Sequence, residues 1–406
     1  MADDKRPALQ SLDDAIARLL AAVAPLGATE SVSTFDALGR VLAADVISTL
    51  DVPPADNSAM DGYAVRVADV ARPGTELVVS QRVPAGLVPT ELAPGTAARI
   101  FTGAQIPPGA DAVVMQELCA ALDGNRVRID TEPRPGQAIR RRGEDVAQGA
   151  LVLAAGHKLD PAALGMAASV GAARLTVARR PRVALFSTGD ELVMPGEPLK
   201  PGAIYNSNRF ALRGLLQSLG CEVIDLGIVP DKLDATRAAL REAASRADLI
   251  VTSGGVSVGE EDHLRPAVQA EGRLDLWQLA IKPGKPLAYG RVGNTHFIGL
   301  PGNPVSSLVT FALLVRPVIL RLQGAARLEP RRFKLRAAFA WNKADKRREF
   351  LRARMTGDGA LELFANQGSG VLTSAVWGDG LVDNPPGRTI AIGDEVAFIP
   401  FSELWS

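Results

Sequence analysis

Between residues 11 and 24, apolar side chains recur at Ile16, Leu19, Leu20 and Val23, the spacing of one helix face. Ser11 stands where such a helix needs a cap, and Asp13 and Asp14 favour its positive end. A second short helix is expected over 34–42 and another over 161–170, the latter packing on the first. The segment 52–65, VPPADNSAMDGYAV, reads as a Pro-bounded loop. From 74 to 146, short Val, Leu, Ile and Ala runs alternate with Pro and Gly, the pattern of a small β domain built of hairpins. That domain would be inserted through the helical unit.

After residue 182 the texture becomes α/β. VALFST (183–188), EVIDLGI (222–228) and DLIVTSGG (248–255) alternate with helices expected at 207–219, 234–247 and 262–270. Short links imply a parallel sheet with right-handed crossovers. PLAYGRV and THFIGLP flank Gly293-Asn294, which predicts a tight hairpin, and Asn303 can cap an apolar helix running to Leu322. Beyond 329, FKLRAAFAW, FLRARM, LELF and EVAFIP predict a small β-barrel or sandwich of about 75 residues. The expected fold class is multidomain α/β plus β. A discontinuous helical N-terminal domain (1–50 and 147–180) carries an inserted β domain (51–146). A central parallel-sheet α/β/α domain (181–328) and a C-terminal small β-barrel (329–406) follow.

Length agrees with several units, because 406 residues exceed the ~250–300 at which one core stops growing. Lys plus Arg equals Asp plus Glu at 45 each, so no overall basic field would gather nucleic acid or an acidic membrane. Cys119 and Cys221 are too few for a disulfide framework, and three histidines leave little for zinc. A reducing cytoplasm fits this usage. The opening residues lack the pattern of a signal peptide, and no apolar run is expected to approach the ~20 residues that span a bilayer.

Any anion site must therefore be local, and in an open parallel sheet ligands bind beyond the carboxyl ends of the strands. Four unusual loops fall there: TGDE (188–191), Pro230-Asp231, SGGVSVGEED (253–262) and PGNPVS (301–306). Gly254, Gly255 and Gly259 let backbone N–H groups approach an anion, with hydroxyls from Ser253 and Ser257 and the positive end of a helix starting near Asp262. The spacing is neither a Walker loop nor a dinucleotide fingerprint. Glu191, Asp231, Glu260, Glu261 and Asp262, with Asp190 beside them, exceed what capping needs, and such oxygen ligands suit Mg²⁺. Lys282 and Lys285 flank a Pro-Gly turn and can face one anion, while Asn303 and Ser306 open the next helix. Each feature alone also reads as a turn, a cap or a solvated charge. On local sequence the same holds for DNSAMDGY (56–63), for the turn at Thr102 and Gly103, and for RRRGEDV (140–146).

Taken in order, DNSAMDGYAV, TGAQIPPGADAVVMQE, RRRGEDV, STGDEL, YNSN, TSGGVSVGEEDH, IKPGKP and LPGNPVSS resemble the molybdopterin molybdenumtransferases, the molybdenum-insertion enzymes that are similar to the C-terminal domain of gephyrin. The resemblance spans nearly the whole chain. It implies an elongated homodimer whose active site lies between the α/β domain of one subunit and the inserted β domain of the other. It implies hydrolysis of adenylylated molybdopterin with insertion of molybdate into the dithiolene, giving molybdenum cofactor and AMP. It gives Mg²⁺ as cofactor, held by carboxylates such as Glu191, Asp231 and Asp262, with Asp61, or else Asp56, as the acid from the partner subunit. Substrate contacts are expected at Thr102, Arg140, Asp145, Ser207, Asn208, Ser253, Gly254, Gly255, Ser257, Gly259, Pro301 and Pro304.

Molybdate is a tetrahedral dianion that Lys282, Lys285 and Ser306 suit, and the resemblance adds Arg352 and Ser369, with Arg347 or Arg348 as substitutes for Arg352. Gln278 departs from relatives that carry Lys there. The resemblance also allows contact with the adenylyltransferase of the same pathway. That adenylyltransferase is the rival enzyme reading, since its domain resembles residues 183–322, but it would not need the inserted β domain or the C-terminal barrel. A scaffold, as in gephyrin, is disfavoured because no long linker or second catalytic domain is present.

Overall fold

The computed structural model describes residues 9–255 and 263–405. Helix α1, Leu12–Ala22, begins at Ser11, whose hydroxyl accepts from the Asp14 N–H at 3.1 Å. It buries Leu12, Ala15 and Leu19, but not against the helix expected near 161–170. These side chains join the core formed by Phe311, Val315 and Ile319 of the α/β domain. Leu9–Gln10 also adds in parallel to Gln278–Leu279 at the edge of the central sheet, which ties α1 to that domain. Amphipathy showed that α1 packs; the neighbouring strand decides where.

The expected helix over 34–42 is a 3₁₀ turn, Thr34–Asp36, followed by extended chain in which Val41 bridges Lys158 and Leu42 bridges Val177. Gly39 takes φ +72° there, which breaks a helix. The unit around it is built on two antiparallel ladders, Thr29–Ser33 with Arg174–Ala178 and Val46–Ile47 with Leu151–Leu153. Helix α2, Pro161–Ser169, packs on them and is capped by Asp160. Between these halves lies a six-stranded sheet, with Val83 and Ile100 in one apolar layer and Leu77 and Ile129 in another.

The central sheet has seven strands. Four run parallel, in the order Glu222–Val229, Arg182–Thr188, Leu249–Ser253, Thr295–Leu300. Pro286–Val292 then runs antiparallel to Thr295–Leu300, and Gly272–Leu279 antiparallel to it in turn. The sheet is thus mixed, and Gly272–Leu279 is a strand that the expectation of a parallel sheet omitted. Side chains alternate in direction along a strand. Val183 and Leu185 meet α3 (Ser207–Ser218) and the helical stretch 304–322, while Ala184 and Phe186 meet α4 (Leu233–Arg246) and α5 (Leu264–Glu271).

The stretch Pro304–Leu322 comprises α6 (Pro304–Thr310), a π-helical segment (Phe311–Val315) and α7 (Arg316–Leu322). Among the described residues it is long and apolar enough to cross a membrane, at 19 residues and mean hydropathy 1.8, contrary to the expectation that no such run exists. It lies 89% buried in the core, and apolar residues around its whole circumference are what such a position requires. Asn303 occupies the cap position of α6, but its side chain makes no capping bond.

In the C-terminal unit, strands run Ile281–Lys282, Arg348–Met355, Gly380–Asn384, Glu395–Pro400, Phe333–Arg336. Leu361–Leu363 pairs with Arg348–Met355, and a bridge from Ala337 to Leu361 closes the circuit as a barrel. Gly380–Asn384 was not anticipated. Ile281–Lys282, contributed by the α/β domain, joins the barrel and fixes the two units side by side.

Candidate active site at the strand ends

A cavity of about 580 Å³ opens at the carboxyl ends of the parallel strands. The loops expected to converge do so. Glu191, Asp231, Ser207, Asn208, Ser253, Gly254, Gly255, Pro301, Pro304 and Ser306 all line it. Ser257, Gly259, Glu260, Glu261 and Asp262 lie outside the described residues.

Local physics explains the convergence. Gly189 has φ +142°, and a Cβ there would sit 2.6 Å from a carboxylate oxygen of Glu191, so glycine lets that carboxylate fold back against the loop. Asp190 does not line the cavity. Its carboxylate instead accepts from the Asp231 N–H at 3.2 Å and ties two loops together. Gly254 has φ +92°, and a Cβ would lie 2.7 Å from the Thr188 carbonyl oxygen. Its N–H, expected to serve an anion, donates to the Leu300 carbonyl at 3.1 Å and so extends the sheet. The Ser253 hydroxyl is 3.3 Å from that of Ser187 in a buried pair. The Asn208 side-chain amide donates to the Gly302 carbonyl at 2.7 Å, holding the PGNPVS loop against α3.

Among the described residues, Glu191 and Asp231 are the only charged groups lining the cavity; no Lys or Arg does so. A polyphosphate would meet repulsion there unless it carried a divalent cation. Among the described residues no three His, Cys, Asp or Glu gather to hold a metal unaided. Two carboxylates at one cavity nevertheless fit Mg²⁺, which is commonly bound by one or two carboxylates together with substrate phosphates and water.

The expected molybdate residues gather beside this cavity rather than in one shell. Ser306 is buried in its wall. The Val305 N–H donates to the Ser369 carbonyl at 2.9 Å, placing Ser369 against the start of α6. At Gly284, between the two lysines, a Cβ would lie 2.4 Å from the Thr310 hydroxyl oxygen and 3.5 Å from the Ser306 carbonyl. Lys285 is exposed, with no ion pair among the described residues, and its neighbour Pro286 lines the cavity. Lys282 is held at 2.9 Å by the buried Glu349, with Asp345 at 3.6 Å. Arg352 is not presented to the cavity. The residue is 1% exposed, its guanidinium donates to the Ser374 hydroxyl and the Phe350 and Gly368 carbonyls, and burial pushes its pKa down to about 10. Arg347 and Arg348, its substitutes, are paired with Asp345 and Asp383.

Asp61, Thr102, Arg140 and Asp145 belong to the inserted unit and its margin, and none lines this cavity. They form a polar face of their own. Asp61 accepts from the Thr102 N–H at 2.7 Å and from its hydroxyl at 2.8 Å, which holds its carboxyl below the usual range. Asp56 accepts from the Arg142 N–H and from Arg141, with the same effect. Arg140 pairs with Asn57 across a short ladder, and the Asp145 N–H donates to the Val52 carbonyl.

Comparison with known proteins decides the family. Residues 10–171 match the family described as MoeA N-terminal region (domain I and II), 184–321 the probable molybdopterin binding domain, and 334–401 the MoeA C-terminal region (domain IV). A molybdopterin molybdenumtransferase of Haemophilus influenzae is 41% identical over 400 residues, covering 97% of this chain and 99% of that protein. The chain belongs to the molybdopterin molybdenumtransferase family. One of Nostoc sp. is 44% identical over 308 residues, 74% of this chain and 70% of that one. The crystal structure of a molybdopterin biosynthesis moeA protein from Pyrococcus horikoshii OT3 superposes with TM-score 0.84 at 30% identity, covering 97% and 100% of the two chains. The multidomain architecture of α/β and β units is therefore that of the family of transferases to which the chain belongs.

Two features of this family member escape a reading of the sequence. Asn206 lines the cavity with an amide nitrogen that is unpaired among the described residues, although only the next two residues of YNSN were expected at the site. A cap pattern before a helix, with its Asn at a strand end, is the signal that could have found it. A larger concavity, about 1110 Å³, lies between α1, the 304–322 stretch and the barrel, and among the described residues it contains none of those expected at the site except Arg348, which was only a substitute.

Proposed function

We propose that the strand-end cavity binds adenylylated molybdopterin, and that the protein couples Mg²⁺-dependent hydrolysis of this compound to insertion of molybdate into the dithiolene, giving molybdenum cofactor and AMP. The observation that carries this reading is the cavity's lining: two carboxylates, neutral hydroxyl and amide groups, and no basic side chain among the described residues. Such a lining suits a phosphate compound that arrives with a divalent cation and would reject the bare anion.

Glu191 and Asp231 would hold Mg²⁺, with Asp262 as the expected third carboxylate. Bound there, the cation would neutralise charge on the phosphoanhydride as it breaks. Ser207 and the start of α3 orient the phosphates, Asn208 holds the Gly302 loop beside them, and Pro301 and Pro304 fix the wall that carries Ser306. Lys285 supplies an ammonium for molybdate at the rim, and Glu349 fixes the direction of the Lys282 ammonium. Arg352, bonded to the Gly368 carbonyl, shapes the loop that bears Ser369 and acts on molybdate through that loop. The polar face around Asp61 and Thr102 completes the site from a second subunit of a homodimer.

The test incubates the purified protein with adenylylated molybdopterin, Mg²⁺ and molybdate, and measures AMP and active cofactor. Both products are expected, and both should vanish when Mg²⁺ is chelated. AMP release by intact protein that is indifferent to molybdate would refute the coupling.

A further inference from the structure

Asn206 is 2% exposed and lines the cavity immediately before α3. Three of its four polar positions are accounted for. Its backbone N–H donates to the Val193 carbonyl at 3.0 Å, and its side-chain oxygen caps the helix by accepting from the Arg209 N–H at 3.1 Å. Its carbonyl is the helix's own acceptor position. The side-chain nitrogen, by contrast, is buried with no partner among the described residues. Exchanging oxygen and nitrogen would set two donors face to face at Arg209, so the cap fixes which atom is left over. A buried donor without an acceptor costs about 1–3 kcal/mol, and a native structure retains one where a ligand supplies the acceptor.

We propose that the Asn206 amide donates a hydrogen bond to a phosphoryl oxygen of the ligand, making the start of α3 a phosphate subsite. The inference rests on the reading of this cavity as a phosphate site and adds the residue that reads the phosphoryl group. Two observations point the same way. The twelve-residue helix α3 presents N–H groups that have no intrahelical carbonyl to bond, together with the positive end of its dipole. The nearby alternatives are already engaged: Asn208 holds Gly302, and the Arg209 guanidinium is turned to Asp225 at 2.9 Å. With no Lys or Arg in the lining among the described residues, this wall offers neutral donors: the Asn206 amide, the helix end and hydroxyls such as that of Ser207.

The test uses Asn206→Ser, which keeps a capping oxygen but removes the amide, and Asn206→Asp, which is isosteric, also caps, and replaces the donor by an acceptor. Binding of AMP and of inorganic pyrophosphate, each with Mg²⁺, is measured by calorimetry on the full chain, alongside thermal midpoints. With midpoints near wild type, both probes should bind Asn206→Ser about tenfold more weakly, and Asn206→Asp more weakly still. AMP and pyrophosphate affinities within about twofold of wild type in both variants would overturn the proposal. Weakening of AMP alone would assign the amide to the nucleoside and overturn the phosphoryl contact. Failure of the wild-type protein to bind either probe would instead sink the reading of the cavity, and this inference with it.

Discussion

Gly254 shows how far one backbone position constrains the site. Its φ is +92°, and a Cβ would lie 2.7 Å from the Thr188 carbonyl oxygen, so there is no room for a side chain against rigid backbone. Gly254→Ala should therefore lose about 2 kcal/mol in urea unfolding, even though it sits in a loop. A midpoint within error of wild type would refute the strain argument. Neighbouring acids separate by task. Glu191 lines the cavity and Asp190 braces Asp231, so Glu191→Gln should slow Mg²⁺-dependent AMP release by about 100-fold or more. Asp190→Asn retains an acceptor for the Asp231 N–H and should stay within about threefold of wild type. Equal losses in a steady-state assay would reject this division. Both acids are visible in the sequence because strand-end loops are readable, but which of the two faces the cavity depends on the backbone turn at Gly189. Asn206 and Asn208 are separable only in three dimensions, since each needs to be traced to its partner.

At the scale of elements, strands and helices in the α/β domain were legible wherever period and breakers agreed, as for Arg182–Thr188 and Ser207–Ser218. Gly272–Leu279 was lost because a strand that begins on glycine directly after a helix lacks a turn signal, and its antiparallel pairing is set by a partner later in the chain. That partner region carries a buried pair with a measurable signature. His296, on Thr295–Leu300, lies 3.1 Å from the Tyr289 hydroxyl, and burial pushes its pKa down to about 4. The unfolded chain, with an ordinary pKa near ~6.5, binds the proton first. Stability is therefore full above about pH 6.5 and is lost as pH falls toward 4, by up to about 3 kcal/mol from this residue. His296→Gln should flatten the dependence of the urea midpoint on pH between about 4.5 and 7, relative to wild type. Parallel profiles for the two proteins would show that His296 does not titrate in this way.

For the whole molecule, the decisive fact is that the residues expected in one active site occupy two separate places in the chain's fold. Glu191 and Asp231 line the strand-end cavity, while Asp61 and Thr102 sit together on the inserted unit and do not. The inserted unit's sheet is complete in itself, with apolar layers on both faces, so nothing in its packing obliges Asp61 to reach that cavity within one chain. If the proposed homodimer joins them across subunits, two individually inactive variants must rescue each other. In a mixed dimer of Asp61→Asn and Glu191→Gln subunits, one site carries both substitutions and the other carries neither. Random exchange should then restore about a quarter of wild-type molybdate-dependent AMP release, because half the dimers are mixed and half their sites are intact. Were Asp61 and Glu191 to act within one chain, each site would keep one lesion and the mixture would stay inactive. Co-refolding or subunit exchange, followed by the same assay and by light scattering to establish dimer formation, distinguishes the two. An inactive mixture that contains mixed dimers would show that Asp61 and Glu191 serve one site within a single chain, and would overturn the sharing of the site between subunits.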